Sequence, residues 1–257
     1  MAAFPAQCDM QTVNKSVIEK IREIAAKEYP KEACGYVIAG KKRAEVVQCE
    51  NISEEPTKFF RIARAETTRI ADQGELLAVW HTHPEGNSEP SDADLASVEV
   101  MGIPWIIQGL RRAENESFDF APYTVTNPSG FQMPYTQRPY VPGIFDCWSL
   151  AVDYYERDMG IRLNRYPYTQ DSGEPGYFLF PTQYEHEGLV KLQHGTEPKK
   201  GDIFFMQILG ERPNHCAIYL GDDRIIQHMH GRLSNLDVFG SRSKFVTHHL
   251  RHKSLCE

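Results

Sequence analysis

The apolar run Leu76-Leu77-Ala78-Val79-Trp80 leads straight into His81 and His83. Five consecutive apolar residues read as a strand buried on both faces. Side chains alternate along a strand, so histidines two positions apart point to one side. Pro84, Gly86 and Pro90 then break the chain into a loop. Ser91-Asp92-Ala93-Asp94 opens an amphipathic helix with Asp94 in its first turn. A helix cap would by itself account for Ser91 and Asp94. Together with the histidines, however, the string brings two imidazole nitrogens and one carboxylate to one place. That is the ligand set of a catalytic zinc site with a fourth position left for water.

The string His-x-His, seven residues, Ser-x-x-Asp resembles the signature of the JAMM (MPN-plus) metallopeptidases, and His81, His83, Ser91 and Asp94 fill it. The resemblance implies Zn2+ held by His81, His83 and Asp94. It also calls for a glutamate on an earlier element. Pro30-Lys31-Glu32-Ala33-Cys34-Gly35 is similar to its usual setting, which makes Glu32 the base that takes a proton from water and Ser91 a helper at the oxyanion.

A chain of 257 residues, 41% hydrophobic, is long enough for two packed cores. No apolar run approaches the roughly 20 residues of a membrane span, so no span is expected. The N-terminus has no basic segment followed by an apolar one, and no signal peptide is expected. A net charge of -7 and an isoelectric point of 5.8 argue against a nucleic-acid surface. The six cysteines have neither paired metal spacing nor the density of a disulfide framework.

Along the chain, Val17, Ile18, Ile21, Ile24 and Ala25 recur at helical spacing. Strands are expected at 34–39, 44–49 and 57–62, a short helix at 63–71, a helix at 92–101 and a strand at 103–108. Strands interleaved with helices make an α/β unit, taken as residues 1–120. Prolines 122, 128, 134, 139 and 142 leave little room for regular structure, and 121–138 reads as a Pro-rich linker. A second domain, 139–257, follows.

In that second domain Phe145-Asp146-Cys147-Trp148 begins a helix, which places Cys147 in the first turn, where the helix dipole favours a thiolate. Further on, apolar strands at 203–209, 215–220 and 223–229 form an antiparallel meander. With Gly221 and Asp222 as the central turn residues, His215 falls opposite His228; a turn one residue later puts His230 there instead. Cys216 points to the other face, toward a core. A cysteine, a histidine base and a polar residue that orients the base form a triad for nucleophilic attack.

Asp146-Cys147, His215-x-x-Ile218-Tyr219-Leu220-Gly221 and His228 resemble the three site segments of NlpC/P60 cysteine peptidases, which are papain-like α+β domains with an antiparallel sheet. The resemblance implies Cys147 as nucleophile, His215 as base and His228 as orienting residue, with Tyr140 assisting the oxyanion. Trp148 departs from the small residue that usually follows the cysteine. A JAMM unit followed by an NlpC/P60 unit, with Arg138-Pro139-Tyr140, Leu233-Ser234 and Phe239-Gly240 around the second site, resembles the tail assembly protein K family of long-tailed bacteriophages. That implies a tail-tip protein with two hydrolases, cell-wall (peptidoglycan) stem peptides as the substrate of the second, and other tail-tip proteins as partners. It also implies assembly in the host cytoplasm, a place in the virion tail tip and action in the periplasm during infection. A rival expectation is a structural assembly protein whose peptidase folds bind partners; another is an enzyme that processes tail proteins. A deubiquitinase-like reading explains only the first half.

Overall fold

The computed structural model describes residues 13–166, 183–208 and 212–256, which fall into two compact units parting between Gln132 and Met133. Mixed α/β structure with two sheets is present, as the interleaved patterns imply. The Pro-rich segment is divided between the units.

In the first unit, α1 (Lys15–Glu28) is capped by the Asn14 side chain and presents its apolar stripe to a sheet. That sheet runs β2 (Ala44–Cys49), β1 (Cys34–Ala39), β3 (Leu76–Pro84), β4 (Trp105–Arg112) and β5 (Phe118–Phe120), and β6 (Thr124–Thr126) also pairs with β4. β3 is antiparallel to β1 and parallel to β4, and so is covered on both edges. Its alternation splits the core. Ala78 and Trp80 join Ile21 and Ile24 of α1 on one face. Val79 joins Ile70 of α2 (Arg64–Ala71) and Val98 of α3 (Asp92–Met101) on the other. His81 and His83 share the Val79 face and therefore look toward α3. Gly35 on β1 lies under the Trp80 ring, and a Cβ there would come within 2.0 Å of the Val47 carbonyl oxygen.

The strand expected at 57–62 is a loop instead. Its Lys58 and Phe59 N–H groups turn back to the Glu55 carbonyl, and the Asn51 side chain ties it down: the amide donates to the Glu32 and Phe59 carbonyls, and its oxygen accepts from the Arg61 N–H. A strand partner is not needed once Asn51 meets those groups. Farther along, three backbone N–H groups at Ser129, Gly130 and Phe131 donate to the Glu99 carboxylate of α3, at 2.6, 2.9 and 3.0 Å.

The second unit is an antiparallel sheet in the order β11 (Asn235–Val238), β10 (Arg224–Gln227), β9 (His215–Gly221), β8 (Ile203–Met206), β12 (Val246–His252), β7 (Leu189–Lys191). Leu209 and Gly210, expected at the end of β8 and in the following turn, lie outside the described residues. Helix α4 (Cys147–Tyr154) packs on the face carrying Ile203, Phe205, Cys216, Ile218 and Ile226. A π-type turn, Tyr155–Met159, continues it to Gly160, whose φ of 66° ends the helix. The fully buried Arg138 fixes α4 from the side. Its guanidinium donates to Asp153 of α4 at 2.5 Å and to the Met133 and Pro134 carbonyls, and Asp153 is also paired with Arg157 and Arg165. A buried arginine so fully hydrogen-bonded locks the chain entering the second unit against the helix that starts with Cys147.

Candidate functional site

Each unit carries one cluster of chemically capable side chains. In the first, His81 Nε2 lies 2.9 Å from His83 Nε2 and 3.2 Å from Asp94 Oδ1, and His83 Nε2 lies 3.5 Å from Asp94 Oδ2. The two histidine nitrogens approach different oxygens of Asp94, and one donor atom from each of the three residues lies within 4.8 Å of the other two, close enough for all three to reach one ion. The group His81, His83 and Asp94 can hold a metal ion. The surroundings fit that use. His83 Nδ1 donates to the Asn87 carbonyl at 3.0 Å, which leaves its Nε2 lone pair for a metal. His81 is held by rings: Phe60 stacks on it with centroids 4.6 Å apart, and Trp105 meets it edge-on at 5.5 Å. Phe60 sits on the loop that Asn51 organises, and nothing in the local sequence pattern singles it out.

Asp94 takes its place from a capping box. Ser91 Oγ accepts from the Asp94 N–H at 3.2 Å and donates to Asp94 Oδ2 at 2.7 Å, and the Ser91 N–H donates to the same oxygen. The cap and the ligand are thus one device, with Ser91 turning the carboxylate toward the histidines. Glu32 is buried beside them, and burial pushes its carboxyl up to about 8, with His83 opposing and Asp94 reinforcing the rise. Burial lowers His81, whereas His83 is raised by its contacts with Asp94 and Glu32 although burial works against it. Asp94, against burial, is held far below the usual carboxylate range by the two rings and Ser91.

In the second cluster Asp146 caps α4: its carboxylate accepts from the Ser149 N–H at 2.8 Å, while Ser149 Oγ accepts from the Asp146 N–H. Cys147 is the first helical residue and is buried. Its thiol is lowered from the ordinary value by a hydrogen bond from the Cys216 thiol and by the His215 ring, against the pull of burial. Burial raises the Cys216 thiol, so Cys147 is the one that ionises.

The expected pairing of His215 with His228 is corrected by the register. Asp222 and Asp223 are the turn residues, both at positive φ, and Gly221 pairs with Arg224. A bulge follows, because Ile225 pairs with Tyr219 and skips Leu220. Gly221, at φ 96°, supplies the conformation that such a bulge needs. With the bulge, neither His228 nor His230 comes opposite His215. His215 shares a face with Ala217 and with Gln227, which pairs with Ala217, and His215 Nε2 lies 3.0 Å from Gln227 Oε1. His228 is turned to the α4 face, where its Nε2 donates to the Arg232 carbonyl at 3.1 Å and burial lowers it to about 4. Gln227, not His228, is thus the side chain on the second strand that meets His215. The signal that finds it is the Gly-Asp-Asp turn read with a bulge. Tyr140 presents its ring to His228 and His230, with centroids 5.3 and 4.8 Å away.

Comparison with known proteins bears on both clusters. Residues 14–121 match the family model of prokaryotic homologs of the JAB domain, and residues 133–252 match the NlpC/P60 family. The tail tip assembly protein K of Escherichia phage N15 is 31% identical over 233 residues, spanning 89% of this chain and 90% of its own length. The chain belongs to the tail tip assembly protein K family. The protein of the same name from Escherichia phage lambda is 27% identical over 183 residues, covering 71% of this chain and 84% of its own. An NlpC/P60 family protein of known structure from Bacillus cereus aligns at 14% identity with a TM-score of 0.31, over 90% of this chain and 66% of that one.

Proposed function

We propose that this tail tip assembly K family member is a phage tail-tip component whose second unit is a cysteine endopeptidase cutting the stem peptides of peptidoglycan. The observation that carries the reading is Cys147 at the first position of α4, its thiol lowered by the His215 ring, together with the contact that holds His215 Nε2 against Gln227. The helix N-terminus and His215 favour the thiolate, which attacks the scissile carbonyl carbon. His215 Nδ1 then carries the proton to the leaving amine, the acyl group stays on Cys147 Sγ, and a water activated at the same nitrogen releases it. The Cys147 N–H, at the helix start where no intrahelical acceptor exists, is available to the oxyanion, and we assign Tyr140 to the same end of the site.

For the first unit we propose a zinc-dependent peptidase or isopeptidase. Zn2+ bound by His81, His83 and Asp94 would supply a Lewis acid and a water of lowered pKa. Glu32, returned to its charged form by the neighbouring cation, would take a proton from the attacking water and pass it to the leaving amine; the Ser91 N–H would hold Asp94 in place while the Ser91 hydroxyl, turning from Asp94, would offer its one proton to the oxyanion. Processing of a tail protein during assembly suits this unit, since the relatives' names place them in tail-tip assembly.

The test is digestion of purified cell-wall peptides by the wild-type chain, by Cys147→Ala, and by His81→Ala with His83→Ala, with product bonds read by mass. Loss of cleavage in Cys147→Ala alone is expected. No cleavage by any form, where a control peptidase cuts, would leave a partner-binding assembly role in place of wall hydrolysis.

A further inference from the structure

The side chain behind Gln227 belongs to neither site segment identified above. Asp237 lies on β11, opposite Ile225, so the pleat puts it on the same face as Gln227 and diagonal to it. Gln227 Nε2 donates to Asp237 Oδ2 at 2.7 Å, and Gln227 Oε1 lies 3.0 Å from His215 Nε2. Arg242, on the turn of helix after β11, donates from Nε to the same Asp237 oxygen at 2.8 Å, and the Val238 N–H donates to Oδ1. A row of four side chains thus runs from the surface inward: Arg242, Asp237, Gln227, His215.

The polarity of the row follows from elementary chemistry. A carboxylate only accepts hydrogen bonds, so an amide beside it must present its NH2 group. The same amide can then present only its oxygen to His215, and that oxygen also only accepts. His215 Nε2 must therefore carry a proton, and Nδ1 is the nitrogen free to serve Cys147. From this geometry we infer that Asp237 is a positioning residue of the cysteine site: it fixes the orientation of the Gln227 amide and, through it, the tautomer of His215. The inference rests on the reading of Cys147 and His215 as nucleophile and base. Asp237 itself meets Gln227, Arg242 and its own strand, and Arg242 with the Val238 N–H keeps it ionised against the cost of its partial burial.

The consequence is chemical. When Cys147 ionises with His215 protonated, the imidazolium offers Nε2–H outward and needs an acceptor. An amide free to rotate meets that proton with NH2 in part of the population, and the thiolate–imidazolium pair loses support. Hydrogen bonds to a charged group are among the stronger ones, so the loss is visible.

The experiment is alkylation of the full chain by iodoacetamide across pH, with modification at Cys147 read on its peptide by mass. The groups facing the thiol are Cys216 and His215 from β9 and Asp146 from the helix start, and none of them is altered. Wild type is expected to react with a midpoint below that of an ordinary thiol. Asp237→Asn, isosteric and able to present either end of its amide, is expected to raise the midpoint and slow reaction at pH 6 about tenfold. Combining it with Gln227→Glu reverses the polarity of the outer bond, since the amide introduced on β11 donates to a carboxylate that in turn accepts from His215, and is expected to restore the low midpoint. A low wild-type midpoint that Asp237→Asn leaves in place would overturn the inference. An ordinary wild-type midpoint would overturn the cysteine-site reading itself. A second measurement needs no change at Asp237: nitrogen NMR of labelled histidines in Cys147→Ser is expected to place the His215 proton on Nε2, and a proton on Nδ1 would overturn the inference.

Discussion

Gln227 and His228 are neighbours in sequence that face opposite sides of the sheet. Gln227 shares the face of His215 and touches its Nε2, whereas His228 turns to the α4 face and gives its Nε2 proton to a carbonyl. Holding the base in one orientation matters because misplacement of a catalytic group by an ångström costs on the order of 10²-fold in rate. Gln227→Ala is therefore expected to lower kcat on cell-wall peptide by about that factor with little change in KM. His228→Asn is expected to fall well short of that loss. Steady-state kinetics on the two variants decides the assignment, and the opposite ranking would return the orienting role to His228.

At the scale of elements, the patterned parts of the chain read correctly because their residues answer to one period. The strands 34–39 and 44–49 and the helix 92–101 occupy the expected positions, since apolar alternation and the Ser91 cap are local signals. The histidine string was legible for the same reason: β3 and the start of α3 place His81, His83 and Asp94 together with no contribution from distant register. What was not legible depended on single side-chain contacts and single backbone conformations. The Asn51 amide makes 57–62 a loop, and the Gly221 bulge moves β10 along β9, and neither is a feature of hydrophobic pattern. A third such device joins β8 to β12. Buried Asp202, just ahead of β8, accepts from His249 Nε2 at 2.6 Å and from Arg251 Nε and Nη2 at 2.7 and 2.8 Å. Burial opposes its charge, yet Arg251 and His249 hold the carboxyl below its ordinary value. A carboxyl lowered by folding contributes stability above its unfolded pKa and loses it as pH falls toward the folded one. Melting of the second unit is thus expected to drop as pH is lowered through about 4, the unfolded value of an aspartate. Asp202→Asn is expected to cost on the order of 3 kcal/mol at neutral pH, because buried Arg251 loses its counter-charge, and to flatten that acid limb. An acid limb unchanged in the variant would assign it to other carboxylates.

Each unit has its own sheet, its own core on both faces of that sheet and its own cluster of candidate site residues. Binding linkage makes that separation measurable. A ligand that binds only the folded state stabilises by RT ln(1 + [L]/Kd), about 2.7 kcal/mol at a hundredfold excess over Kd. The three metal donors lie on β3 and α3, which belong to the first unit alone. Calorimetry of the full chain is therefore expected to resolve two transitions, of which added zinc raises one by several degrees and leaves the other in place. His81→Ala with His83→Ala is expected to abolish the zinc response, and alkylation of Cys147 to leave it intact. Magnesium, which prefers six oxygen ligands, is expected to have little effect on a site of two imidazoles and one carboxylate. If zinc raised both transitions equally, or still raised the first in the double histidine variant, the ligand assignment to β3 and α3 would fail.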